Sequence, residues 1–391
     1  MNWSQLPPVG TPVPLDADNS SDPLGPYTGS AVLTASGTAA LALTIKVAML
    51  AQPGISAPEV IIPAYGCPDL VAAIVHAGAT PVITDIAAMP YHYPVESLRL
   101  AVSERTVALI CPTLLGIRLD LPALKNQLPE HCLLIEDNAQ WFPEVISADI
   151  AEHSQKMLSF TDKNLAIADM SIVSFGRGKP VNLLGGGAAF LHNTALESVF
   201  NQVNVSAAQQ VSAKQFEIKA HGFNALLHPS LYGGLTKLPI GLGETVYHEL
   251  TDIQALDDTR RERVHRGIIR YRTLPTYAED RLRKQFPKNP LLSQVRERLL
   301  RYPLMFDSKE SRDSAHDILV AKGLGASCFY NAILPAISGV PGSVVVRGEI
   351  THAHTLADTL LTLPVHPGVS EIHTHAMMRY LSEFSDHLII Q

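Results

Sequence analysis

Lys179 lies in SIVSFGRGKPVNLLGGGAAFL, between a turn holding Gly176 and Gly178 and a second cluster made of Gly185, Gly186 and Gly187. An apolar run precedes this stretch and another follows it. A structural lysine belongs on a solvated face, so an amine set between glycine turns and two buried strands points to a nucleophile that condenses with a carbonyl. Two other segments carry chemistry that fits. Asp137 in LLIEDNAQWF directly follows an apolar run, with Gln140 three residues on. The segment Ala35-Ser36-Gly37-Thr38-Ala39-Ala40-Leu41 is a small-residue turn opening an apolar helix, where backbone N–H groups, a hydroxyl and the helix dipole favour an anion.

These segments are candidates for the parts of a pyridoxal-phosphate (PLP) site. Such a site needs a lysine for the Schiff base, an acid that keeps the pyridine nitrogen protonated, donors for the phosphate and a wall against the ring. Lys179, Asp137 and the Gly37, Thr38, Ala39 turn fill the first three places, and Gln140 could donate to the ring hydroxyl oxygen. Plainer readings stay open for each segment: Ser36 as an ordinary helix N-cap and Asp137 as a cap of the next helix. Lys163, in SFTDKNL, repeats the spacing around Lys179, but no glycine cluster follows it.

In order along the chain, SGTAAL, EVIIPAYGCPDLVAAIVHAGATPVITDI, IEDNAQ, SFGRGK followed by GGG, and GFN resemble the DegT/DnrJ/EryC1/StrS family of PLP-dependent sugar aminotransferases. The likeness covers residues 30–275 well and extends more loosely through RYPLMF and LLTLPVHPGVSE. It implies fold type I of the PLP-dependent transferases, aspartate aminotransferase-like, with a mostly parallel seven-stranded sheet and a smaller C-terminal α+β domain. It also implies that Lys179 is both the Schiff-base lysine and the proton shuttle, that Asp137 pairs with the pyridine nitrogen and that Gln140 lies at the ring hydroxyl. Gly37, Thr38, Ala39 and Ser174 match phosphate-binding positions. Asn224, in HGFNALL, matches an asparagine that reaches the phosphate of a neighbouring subunit, which implies a homodimer with shared active sites.

The chain also departs from that family. Gly185 stands where a glutamate commonly precedes the glycine pair. The ring-stacking aromatic position falls on Cys67, with Tyr65 two residues earlier. Ala225, Leu226 and Leu227 follow Asn224 where an arginine is usual. The cofactor side is matched and the substrate side is altered.

Positioning these residues takes an α/β sheet. The apolar runs 60–62, 81–83, 107–110, 133–135 and 171–173, four of them closing near Pro63, Asp85, Pro112 and Asp137, read as buried parallel strands whose carboxyl ends carry the functional loops. Residues 1–29 hold six prolines and read as an irregular arm laid over the body or a partner. Residues 30–255 form the expected PLP-binding large domain and residues 256–391 the small domain. A long polar helix is expected over HELTDIQALDDTRRERVHRGIIRYRTL as the bridge between them. RYPLMF, VVVRGEI and LLTLPVH are expected as strands of the small domain.

At 391 residues, with 46% hydrophobic and 17% charged residues and a formal charge of −7, this is the composition of a globular protein large enough for two domains. The basic run Arg260 to Arg266 is interspersed with acids and reads as a solvated helix face, so no nucleic-acid partner is expected. Four cysteines without a CxxC pair support neither a disulfide framework nor a zinc ribbon. The pairs His352 and His354, and His373 and His375, lack a third ligand, so no metal is expected. Met377, Met378 and Leu381 have the spacing of a packed C-terminal helix. No secretory signal or confident membrane span is present, and a cytoplasmic protein is expected.

The function these features imply is transfer of an amino group from an amino acid, glutamate in the leading reading, to a keto group of a nucleotide-linked sugar, in cell-surface polysaccharide or related sugar biosynthesis. Two alternatives stand beside it. One is a PLP-binding scaffold or sensor of the same fold. The other is a PLP-dependent sugar dehydratase, against which Lys179 argues because such relatives carry histidine there.

Overall fold

The computed structural model describes residues 4–18, 20, 23–24, 30–89, 91–143, 168–237, 245–293, 295 and 297–389. Lys163 lies outside the described residues. Twelve strands are seen among the described residues: β1 (Ala31–Thr34), β2 (Glu59–Pro63), β3 (Thr80–Thr84), β4 (Ala87–Ala88), β5 (Tyr91–His92), β6 (Thr106–Pro112), β7 (Leu133–Asn138), β8 (Met170–Ser174), β9 (Gly187–Leu191), β10 (Arg301–Met305), β11 (Val345–Val346) and β12 (Leu360–Pro364).

Eight of them form one sheet in the order β1-β9-β8-β7-β6-β2-β3-β11. The strands from β8 through β11 in that order pair in parallel, while β9 runs antiparallel to both β8 and β1. Every residue of β2, β6, β7 and β8 is buried. Their Val, Ile and Leu runs therefore lack the alternation of a half-solvated strand, as expected for strands covered on both faces. The helix Gly37–Leu50 covers one face and packs on β8 and β9. All five sequence-expected strand runs fall inside β2, β3, β6, β7 and β8.

Two expectations are corrected. VVVRGEI does not extend the small domain: Val345 pairs with Val82 and Val346 with Ile83, making an eighth strand on the large sheet where seven were expected. The edge of β3 offers unpaired backbone groups, and Arg347 secures the join through its backbone N–H to Ile83 O (3.0 Å) and its guanidinium to Glu59 (2.7 Å). RYPLMF and LLTLPVH do pair, as the antiparallel two-stranded sheet of β10 and β12.

The long helix expected from residue 248 onward is also corrected. Residues 253–256 run extended, with Ala255 bridged to Thr34 and the Leu256 N–H donating to Leu33 O at 3.2 Å. Pairing with β1 buries Ile253 and Leu256 more completely than a polar helix would. Asp257 then caps a short helix, Asp258–Arg261, and the main helix is Val264–Thr273.

The N-terminal arm lies over the body of its own chain. His366 bonds Pro7 O at 2.9 Å, Asn182 donates to Thr11 O at 2.9 Å and Arg263 donates to Leu15 O at 3.1 Å. Met377 and Leu381 bury one face of the helix Glu371–Leu381, as their spacing predicts. His352 bonds the buried carboxylate of Asp85, and His373 forms a capping box with Ser370. No helix among the described residues is long and apolar enough to cross a membrane.

Candidate active site

The carboxyl ends of β2, β7 and β8 meet at one cavity of about 310 Å³. Its walls include Cys67 from the loop after β2, Gln140 from the loop after β7 and Lys179 from the turn after β8. This is the strand-end placement that parallel α/β sheets use for ligands.

Asp137 is the fifth residue of the buried strand β7. The parallel register sets it beside Pro112, and its carbonyl accepts from the Thr113 N–H at 2.9 Å. Its carboxylate accepts from the Ala139 N–H at 2.9 Å. Burial pushes its pKa above the ordinary aspartate value, opposed by that N–H and by the charge of Lys179. No cation stands within ion-pair distance of it among the described residues. A buried carboxylate in that state gains from a ligand that brings a positive nitrogen to it.

Gln140 is held at both ends of its amide. Its Oε1 accepts from the Leu115 N–H at 2.7 Å and its Nε2 donates to the Tyr330 hydroxyl at 3.2 Å. One Nε2 hydrogen remains to donate. Cys67 is half-buried, and burial pushes its thiol pKa up to about 12, so it presents a neutral, polarizable wall. Tyr65 does not line the cavity. It is buried behind the wall, where its hydroxyl accepts from the Tyr330 N–H at 3.2 Å and its ring stands edge-on to Tyr330 at 5.4 Å.

The anion cup expected at Gly37, Thr38 and Ala39 is built by close approach. A Cβ on Gly37 would stand 2.7 Å from Ser174 Cβ, so the glycine lets the start of the helix reach the Ser174 hydroxyl at the end of β8. That hydroxyl accepts from the Gly176 N–H at 3.3 Å and keeps its own proton to donate. The N-cap reading of Ser36 also holds, because its Oγ accepts from the Ala39 N–H at 3.0 Å. Ala39 therefore contributes through the helix dipole more than as a free donor.

Asn224 is not brought to this cavity within the chain. It lies on the helix Ala213–Leu226, and its amide closes on Val13 of the arm, Oδ1 accepting from Val13 N–H at 2.8 Å and Nδ2 donating to Val13 O at 2.9 Å. The space above Gly185, where the resemblance implies a glutamate, is taken by Arg260, with Nε 3.4 Å from where a Cβ would be. Arg260 is itself bound to Asp257 at 2.6 Å and to Leu183 O at 3.1 Å.

Sequence reasoning missed the residues that close the cavity from outside the large sheet. Val9 comes from the arm, and Arg301, Phe329 and Tyr330 come from the C-terminal part. Phe329 has a left-handed backbone (φ 62°), a conformation that costs a bulky residue about 1–3 kcal/mol and that concentrates at functional sites. Val9, Phe329 and Tyr330 belong to none of the segments singled out in the sequence. A weak signal existed in RYPLMF, whose first residue is Arg301.

The pattern that defines the DegT/DnrJ/EryC1/StrS aminotransferase family matches residues 24–381. The chain belongs to that family. It is a PLP-dependent aminotransferase, with pyridoxal phosphate as its cofactor. Among curated relatives, UDP-N-acetyl-3-dehydro-α-D-glucosamine 3-aminotransferase of Acidithiobacillus ferrooxidans is 26% identical over 343 residues, covering 86% of this chain and 79% of the relative. A DegT/DnrJ/EryC1/StrS aminotransferase from Brucella abortus shares the fold with a TM-score of 0.59 at 20% identity, over 90% of this chain and 85% of that one. NtdA from Bacillus subtilis, solved with bound PMP, superposes with a TM-score of 0.60 at 16% identity, over 90% of this chain and 72% of that one.

Proposed function

We propose that this aminotransferase moves an amino group from glutamate to a keto group on a nucleotide-linked sugar, in the making of a cell-surface polysaccharide or a related sugar. The observation that carries the reading is the meeting of Lys179 and Gln140 in one cavity with the buried carboxylate of Asp137 close behind it. The nucleotide-sugar substrate named for the Acidithiobacillus ferrooxidans relative supports the acceptor class.

The residues present fit the cofactor. Lys179 would hold it covalently, Asp137 would face its pyridine nitrogen, Cys67 would lie against its ring, and Gly37, Thr38 and Ser174 would receive its phosphate. When bound, the cofactor supplies an electron sink for the substrate carbanion. Asp137 would keep a proton on that pyridine nitrogen, because an ionised partner is the cheapest way to satisfy a buried carboxylate. Gln140 holds the loop after β7 against Tyr330 and would donate its remaining Nε2 hydrogen to the ring hydroxyl. Lys179 would also move a proton at the substrate α-carbon with Nζ.

We further read the protein as a homodimer with shared sites, in which Asn224 serves the partner's phosphate. That role competes with its hold on Val13, so assembly would have to free the amide from the arm.

Incubating the purified protein with glutamate tests the reaction without knowledge of the sugar. Stoichiometric formation of 2-oxoglutarate with a change in the cofactor's absorption is the expected result. A protein that holds PLP and forms no 2-oxoglutarate would instead be a scaffold or sensor.

A further inference from the structure

Arg301 is the first residue of β10, and its guanidinium lines the same cavity as Lys179. It is half-buried and carries no carboxylate partner among the described residues. Nη1 donates to Thr362 Oγ1 at 3.3 Å, and the guanidinium carbon lies 5.1 Å from the centre of the Phe329 ring. Nε is buried with no hydrogen-bond partner. One corner of the group is thus tethered and one face is packed, while the edge that begins at Nε has no hydrogen bond from Nε to any of the described residues.

Removing a guanidinium from water without an anion is costly, and desolvation lowers the Arg301 pKa to about 10. Such a group is retained where a ligand supplies the missing charge. The Nε and Nη2 edge is the planar fork that matches both oxygens of a carboxylate. The cavity wall adds Arg177 and Lys179 against the single carboxylate of Asp69, so the balance favours an anion.

We propose that Arg301 is the carboxylate-binding residue for the amino-acid donor. It is a specificity residue of the substrate subsite and takes no part in holding the cofactor. The proposal rests on the transaminase reading of this cavity, but its test does not require turnover.

Glutarate has the two carboxylates of glutamate and no amine, so it binds without reacting. Calorimetry on the PLP-loaded protein compares glutarate with UDP for wild type, Arg301→Gln and Arg301→Lys. Arg301→Gln should weaken glutarate about 10- to 100-fold, the range for a lost charge-assisted pair of hydrogen bonds. Arg301→Lys should recover part of that loss. UDP and PLP affinities should hold, and the melting temperature of Arg301→Gln should not fall, because an unpaired buried charge has been removed. A merely structural arginine would lower the melting temperature and leave glutarate unchanged. The proposal is overturned if wild type does not bind glutarate, if Arg301→Gln binds it as tightly as wild type, or if the variant loses UDP or PLP instead. A protein that binds glutarate through Arg301 yet forms no 2-oxoglutarate from glutamate would sink the aminotransfer reaction and leave this subsite standing.

Discussion

A Cβ on Gly187 would stand 2.7 Å from the backbone nitrogen of Gly37. The first residue of β9 and the first residue of the helix Gly37–Leu50 therefore touch backbone to backbone. The glycine cluster after Lys179 serves this contact, which also brings Gly37 against Ser174.

Gly187→Ala should force these backbones apart. Because the colliding atoms are main chain, no side-chain movement relieves the clash, and a loss of about 1–3 kcal/mol is expected. The phosphate cup opens with it, so PLP affinity should fall at least about tenfold. Denaturant unfolding and cofactor titration check both effects. Unchanged PLP affinity in a destabilised variant would separate the glycine contact from the cup.

Lys179→Ala should abolish the visible absorption band of bound cofactor, while Lys163→Ala should keep it. The glycine turns and the shared cavity with Cys67 and Gln140 motivate this assignment. The reverse pattern would move the Schiff base to Lys163.

Asp137→Asn should bind cofactor yet lose most of its half-reaction with glutamate, since a neutral amide does not hold a proton on the pyridine nitrogen. One pKa unit of lost pairing corresponds to about 1.4 kcal/mol. The cofactor-free protein should behave in the opposite sense. Burial raises the Asp137 pKa, so the native state binds its proton more tightly than the unfolded chain does. Stability contributed by this group is then highest at low pH and is lost as pH rises through the unfolded and folded values. Cofactor-free Asp137→Asn should accordingly equal or exceed wild type in melting temperature at pH 7, with the advantage shrinking below about pH 4. A variant that is less stable than wild type at pH 7 without cofactor would contradict the cause assigned to the shift.

Asn224 admits a test by mixing chains. Asn224→Ala alone should loosen the arm at Val13, costing about 1–3 kcal/mol for a two-bond amide contact. If Asn224 also completes the partner's site, a mixed dimer of Asn224→Ala and Lys179→Ala chains has one site lacking both groups and one intact. Some activity should then return relative to either variant alone. Mixed dimers that form and recover nothing would confine Asn224 to its own arm.

The chemistry of the large sheet was legible because it is local. Asp137 sits at the end of a buried apolar run, Lys179 between glycine clusters and Gly37 at the mouth of an apolar helix, and each of these patterns is set by neighbours within about ten residues. Strand runs were legible for the same reason, since burial on both faces leaves an uninterrupted apolar signature. The tertiary structure alone decided which distant segments close the cavity. Val345 and Val346 are too short a run to declare a partner, and only the open edge of β3 makes them a strand of the large sheet. The pattern around residues 253–256 is compatible with a helix, and pairing with β1 overrides it because it buries Ile253 and Leu256. Asn224 looks the same in sequence whether it meets a phosphate or Val13. Arg301 is one arginine among many until its surroundings show Nε buried with no partner among the described residues, because desolvation is a property of the packed structure and leaves no trace in the spacing of residues.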